Sequence, residues 1–296
     1  MSIKPKVALV LSGGGARGMA HIGVIEELER QGFQISSLAG TSMGALVGGV
    51  HALGKMEVYK NWLYTLDKIK IFRLIDLNFR GQGLVKGDKL LHKMRDLIAD
   101  RNIEDLPIPY AAVAADIINK KEVVLTTGSV LDAIRASIAI PTIVTPVKTK
   151  DGLLVDGGVI NSLPIDHVSR LPNDILIVVN VNAPIPKDKR QVTASADKAN
   201  VPVYRKRIKA IYKQLPKIKA LRREEKFGYF DVISKTLSLM TYHNTQLTLE
   251  KYTPDILINI SRDSCGLYDF YRAEELVETG KRATITALDA YRNKLG

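Results

Sequence analysis

The run "KVALVLS" at 6–12 and the strand-like run "FQISSLAG" at 33–40 each end in a glycine-bearing turn. Each is followed by a stretch with helical spacing. This arrangement restricts the fold more than any other feature of the chain. A continuous apolar run suits a strand buried on both faces of a parallel sheet. Next, "AHIGVIEELERQG" carries Ile22, Val24, Ile25 and Leu28 at roughly helical spacing and stops at Gly32, as a helix does. After the second run, "MGALVGGVHALG" predicts a helix ending at Gly54. An opening β-α-β-α predicts an α/β fold with a parallel-rich central sheet flanked by helices.

Further along, residues 55–106 read as helical and peripheral, with a loop at "NFRGQGLVKGD" (78–88). A strand pair is expected at 109–117 and 122–127, and a helix at 130–141 stopped by Pro141. Strands are expected at 152–158, 174–182 and 255–260. The tail 271–295 reads as an amphipathic closing helix through Leu276, Val277, Ala283, Ala287, Leu288 and Tyr291. No repeat or low-complexity linker divides the 296 residues, so one domain, 1–296, is expected. The single cysteine, Cys265, excludes an internal disulfide framework. No run approaches the roughly 18 apolar residues of a membrane span. Val7 to Leu11 is too short for a signal-peptide core of about 7–15 residues, so a cytoplasmic protein is expected.

The first glycine turn, Gly13-Gly14-Gly15-Ala16-Arg17-Gly18, fits a dinucleotide-binding pattern. That reading needs an acidic residue about 20 positions on, to hold a ribose. Glu29 and Glu57 enclose a stretch without any, so the reading loses its second support. What remains is a nest of backbone N–H groups at a helix start, suited to a phosphate or to a transition-state oxyanion. The bland alternative is a glycine turn joining strand to helix.

Gly40-Thr41-Ser42-Met43-Gly44 matches the nucleophile elbow, a sharp strand–turn–helix that holds a serine hydroxyl out of the backbone. A serine nucleophile needs a base. Of the five histidines, only His167 and His243 follow Asp156 in the usual triad order, and neither has a motif around it. His21 and His51 sit in helix-like segments and read as structural. Asp156-Gly157-Gly158, in "LLVDGGVINSLP", puts a carboxylate at the end of an apolar strand. By itself it reads as an Asp-Gly turn. Strand C-terminal ends gather on the ligand-binding edge of such sheets, so Asp156 and Ser42 are expected to meet there.

Together, Gly13-Gly14-Gly15-x-Arg17-Gly18, Gly40-x-Ser42-x-Gly44 and Asp156-Gly157-Gly158 resemble the patatin-like phospholipase family in its small bacterial form. The block "RASIAIPTIVTPV" (135–147) is similar as well. The resemblance covers most of residues 6–182 and, more loosely, "GLYDFYRAEELVETG". It implies a Ser–Asp dyad without a catalytic histidine. Ser42 would be the nucleophile and Asp156 the base, with the Gly13–Gly18 loop as oxyanion hole. It also implies a lipid acyl hydrolase acting on phospholipids, lysophospholipids or related esters. No cofactor and no metal is expected. An acyltransferase, or a non-enzymatic anion- or nucleotide-binding regulator, are the alternatives. An aspartate of ordinary pKa, about 3.9, is a weak base, so the dyad demands a dry site. Leu153, Leu154, Val155, Val159 and Ile160 are expected to supply it. Arg17 would orient the glycine loop rather than bind lipid phosphate.

The net charge of +12 is concentrated. Residues 187–226 hold 14 Lys/Arg against 4 Asp/Glu, a local +10. Within 203–226, Tyr204, Ile208, Ile211, Leu215, Ile218 and Leu221 recur every three or four residues among lysines and arginines. That predicts a basic amphipathic helix. An anionic membrane surface suits it, at the inner face of the membrane. Packing on the domain or on a second subunit, as in a homodimer, suits it equally. Nucleic acid is not expected as a partner, for no nucleic-acid motif accompanies the charge.

Overall fold

The structure, a computed structural model, describes residues 4–74, 83–85, 87–187 and 229–295. The chain runs β1 (Lys6–Leu11), α1 (Ala20–Arg30), β2 (Gln34–Thr41), α2 (Met43–Ala52), α3 (Met56–Tyr64), α4 (Lys68–Leu74) and β3 (Gly83–Val85). Then come α5 (Asp88–Leu97), β4 (Tyr110–Asp116), β5 (Lys121–Leu125), α6 (Val130–Ser137), β6 (Thr142–Val144), β7 (Val147–Lys148) and β8 (Leu153–Asp156). β9 (Ile175–Ala183), α7 (Tyr229–Lys251), β10 (Ile256–Ser261) and α8 (Ala273–Leu295) complete it. The main sheet has the order β10-β9-β1-β2-β4-β8-β7, with β5 also on β4. Its centre, from β10 to β4, is parallel. The expected α/β class with a parallel-rich sheet is what the chain forms.

The sheet explains the apolar runs. Val7, Leu9 and Leu11 of β1 join the main core beneath α1 and α2, with Ile22, Ile25, Leu46 and Val50. Ala8 and Val10 point to the other face and meet Leu163, Ile165 and Val168. A strand covered on both sides has no solvent face to alternate toward.

Beyond the parallel centre the sheet forks. β5 pairs antiparallel with β4 over Ala112–Asp116. One edge of a residue accepts one neighbour, so β2 and β8 share the opposite edge of β4. β2 takes Tyr110 to Val113, and β8 takes Ala114 to Asp116 in the antiparallel sense. The C-terminal ends of β2 and β8 therefore meet head to head, with Thr41 opposite Val113 and Asp156 opposite Ala114. The strand ends that carry Ser42 and Asp156 meet, as expected. The two carboxyl ends converge from opposite directions.

Other expectations change. Within the expected loop 78–88, Gly83–Val85 forms β3, which pairs in parallel with β6 in a separate two-stranded sheet. α6 ends at Ser137 rather than at Pro141. The residue before a proline is biased out of helix, and the released Ala139 carbonyl accepts a hydrogen bond from Asp156 N–H at 2.9 Å. α7 was not anticipated, because its apolar residues are not gathered on one face. The basic stretch 203–226 lies outside the described residues. Among the described residues, no helix is long and apolar enough to cross a membrane.

Candidate active site

Ser42 stands between β2 and α2 with φ 55° and ψ −121°, a left-handed conformation uncommon outside glycine. Such backbone costs roughly 1–3 kcal/mol and persists where neighbours over-determine it. Here they do. Ser42 N–H donates to Ser137 Oγ at 2.8 Å, and Ser137 Oγ donates to Val113 O at 2.6 Å. Thr41 Oγ1 donates to Asn161 O at 2.8 Å. The flanking glycines are required by close approach. A Cβ on Gly40 would lie 2.5 Å from the Gly44 carbonyl carbon, and one on Gly44 would overlap the carbonyl of Leu11.

Ser42 Oγ donates to Asp156 Oδ2 at 2.5 Å, the length of a charge-assisted hydroxyl–carboxylate bond. The other carboxylate oxygen, Oδ1, accepts from Gly158 N–H at 2.8 Å. Gly157 packs on the Val113 carbonyl, where a Cβ would not fit. Both Ser42 and Asp156 are buried, each with 6% of its surface exposed. Burial pushes the Asp156 pKa up to about 6, against the opposing pull of the Ser42 and Gly158 hydrogen bonds. The expected dry environment exists, with one change of cast. Leu154 and Val155 are buried, whereas Ile160 is 40% exposed. Val159 lines the cavity as expected, joined by Ile140, Pro141 and Ile143, which the early end of α6 releases.

The glycine loop passes over the serine. A Cβ on Gly13 would touch the Ser42 Cβ at 3.4 Å, and Gly18 packs on Met43. Gly13 N–H donates to Ser162 O at 3.0 Å. The N–H groups of Gly14 and Gly15 form no hydrogen bond with the described residues. They are the loop's open donors beside the serine. Asn182, on β9, holds the loop from behind. Its Nδ2 donates to Gly13 O at 2.7 Å, and its Oδ1 accepts from Arg17 Nη2 at 2.8 Å. Arg17 is thus tied to β9 through Asn182.

Gly13, Gly14, Gly15, Ser42 and Asp156 open into one cavity of about 620 Å³. No histidine lines it among the described residues. His167 pairs elsewhere, with Glu122 at 3.0 Å and Asp166 at 3.6 Å. His21 is fully buried on Ser12 O, and burial lowers its pKa to about 4. Sequence reasoning missed Ser137, Asn161 and Asn182. A signal existed for the last, since Asn180 and Asn182 interrupt an otherwise apolar buried strand. Ser137 has no such mark at the end of an ordinary amphipathic helix.

The family model described as patatin-like phospholipase matches residues 9–169, which include the glycine loop, Ser42 and Asp156. The chain belongs to the patatin-like phospholipase family. An uncharacterized NTE family protein of Mycobacterium tuberculosis is 34% identical, over 98% of this chain and 93% of that one. The patatin-like phospholipase domain-containing protein 7 of Rattus norvegicus is 31% identical, over 64% of this chain and 14% of its own length. Among solved structures, VipD from Legionella pneumophila superposes with a TM-score of 0.50 at 15% identity. That alignment covers 98% of this chain and 67% of VipD, and it speaks to the fold alone. Membership of the patatin-like family points to lipid hydrolysis. Asn182 and everything beyond β9 lie outside the residues that the family model matches.

Proposed function

We propose that this patatin-like chain is a serine lipid acyl hydrolase of the phospholipase or lysophospholipase type, working through an acyl-enzyme. The observation that carries the reading is the 2.5 Å hydrogen bond from Ser42 Oγ to a buried carboxylate whose pKa stands near 6. Burial makes Asp156 a better proton acceptor than an exposed aspartate, while leaving it ionised at neutral pH. Ser42 Oγ attacks the ester carbonyl as its proton passes to Asp156. The Gly14 and Gly15 N–H groups receive the oxyanion. Collapse of the tetrahedral intermediate expels the alcohol, which takes the proton from Asp156. A water then attacks the serine ester as Asp156 accepts its proton; collapse breaks the acyl–Oγ bond, Ser42 Oγ takes the proton back from Asp156, and fatty acid leaves.

The test is labelling with a fluorophosphonate probe, comparing the native chain with Ser42→Ala. Labelling of the native protein alone is expected. Absence of label would remove the hydrolase and leave an anion-binding role for the loop. Analysis of products in the presence of an acceptor alcohol separates hydrolase from acyltransferase, since both use the same dyad. The basic stretch 203–226 is proposed to bring the enzyme to anionic membranes. Co-sedimentation with anionic liposomes, and not with DNA, is the expected result at physiological salt.

A further inference from the structure

The cavity's lining is of two chemistries. Beside Asp156 it is apolar, with Ile140, Pro141 and Ile143. Arg262, Tyr242 and Tyr268 also line it, and Arg262 and Tyr268 are exposed. The sheet sets their order. Arg262 directly follows β10, and the sequence β10-β9-β1-β2 places it three strands from Ser42. Three inter-strand spacings are about 14 Å. An arginine side chain takes up part of that span, and a glycerol unit between an ester carbonyl and a phosphate takes up the rest.

Arg262 is suited to an anion. It is exposed at the cavity mouth, and its guanidinium lies over the Tyr242 ring at 5.6 Å from the centroid. Stacking on an aromatic face holds the planar fork without consuming its N–H donors. No carboxylate among the described residues forms an ion pair with it. The cavity's other arginine, Arg17, is largely buried and gives its Nη2 to Asn182, while its Nε has no hydrogen-bond partner among the described residues. Asp263, next in the chain to Arg262, also lines the cavity. Arg262 thus lines the cavity with Asp263 beside it, and its guanidinium rests on the Tyr242 ring.

We propose that Arg262, seated on Tyr242, binds the phosphate of the substrate's head group, so that the enzyme selects phosphate-bearing acyl lipids over neutral glycerides. The inference rests on the hydrolase reading above. It makes Arg262 a specificity determinant outside the residues the family model matches. The acyl chain lies toward Ile140 and Ile143, the ester at Ser42, and the head group at the wet rim.

The test uses a short-chain lysophosphatidylcholine and the monoacylglycerol with the same acyl chain, both below their micellar concentrations. In Arg262→Gln the ratio of kcat/KM for the phospholipid over the glyceride should fall roughly tenfold or more, as loss of a charge-assisted hydrogen bond implies. The change should sit mainly in KM, and Arg262→Lys should recover part of it. A ratio within threefold of the native value would overturn the proposal. If the native enzyme hydrolyses neither ester, the hydrolase reading falls, and calorimetric binding to Ser42→Ala decides the head-group site separately. Tighter binding of the phospholipid, lost in the double variant with Arg262→Gln, upholds it. Equal binding of the two lipids rejects it.

Discussion

The two glycine-flanked turns of this chain look alike in sequence and are held in different ways. The turn at Gly40–Gly44 is locked from within the core. Ser42 N–H, Thr41 Oγ1 and the Gly44 backbone are each fixed by a buried partner, namely Ser137, Asn161 and Leu11. The turn at Gly13–Gly18 is braced at its back by Asn182 and keeps two N–H groups open at its front. In the proposed mechanism the nucleophile must be aimed, and the oxyanion hole must stay unsatisfied until charge develops. Rigidity and vacancy are thus divided between two loops that share a cavity.

The comparison breaks most decisively at the locked turn. Ser42→Ala should cost at least ~1,000-fold in kcat/KM for ester hydrolysis, measured on folded protein. Asp156→Asn should cost roughly 100–10,000-fold, the range of a lost general base. Full activity in either variant would end the dyad account.

A smaller loss probes the lock itself. Ser137→Ala leaves Ser42 N–H and Val113 O without their partner, which should cost about 1–3 kcal/mol of stability and lower kcat. A neutral effect on both would mean that the strained turn does not depend on Ser137.

The pH dependence sharpens the electrostatic side. The reaction needs Asp156 ionised, so kcat/KM should rise from pH 4 and be half-maximal near pH 6. Stability has the opposite sign. The folded pKa of Asp156 is raised above its ordinary 3.8, so the stabilisation is complete below about 3.8 and is lost as pH rises through about 6. Asp156→Asn should therefore raise the Tm at pH 8 by about 2–5 °C and give no gain at pH 3.5. A Tm that drops at pH 8 would show that the hydrogen bonds to the carboxylate outweigh its desolvation. The smallest effect belongs to His167→Ala. Its partners are Glu122 and Asp166, so activity should stay within about twofold of native.

Much of this was legible in the chain. Continuous apolar runs announce strands covered on both faces, and the glycines that end them mark places where backbones touch. Those are short-range consequences of local residue patterns, so β1, β2, α1, α2 and the three motif clusters could be read directly. The early end of α6 and the existence of α7 could not. The first depends on an Asp156 N–H that reaches Ala139 from far along the chain. The second is held by what its residues touch, including Thr241 Oγ1 on Gly158 O and Asn244 on Ile160 O.

By itself the sequence determined that Ser42 would sit on an elbow and that Asp156 would end a strand, because glycine placement and apolar runs act locally. Only the tertiary structure decided that the two would bond. β4 lends one edge to two strands of opposite direction, and their ends abut. Register is a property of paired strands, and neither strand carries it alone. The raised pKa of Asp156 was decided in the same way, by burial that only the packed fold supplies.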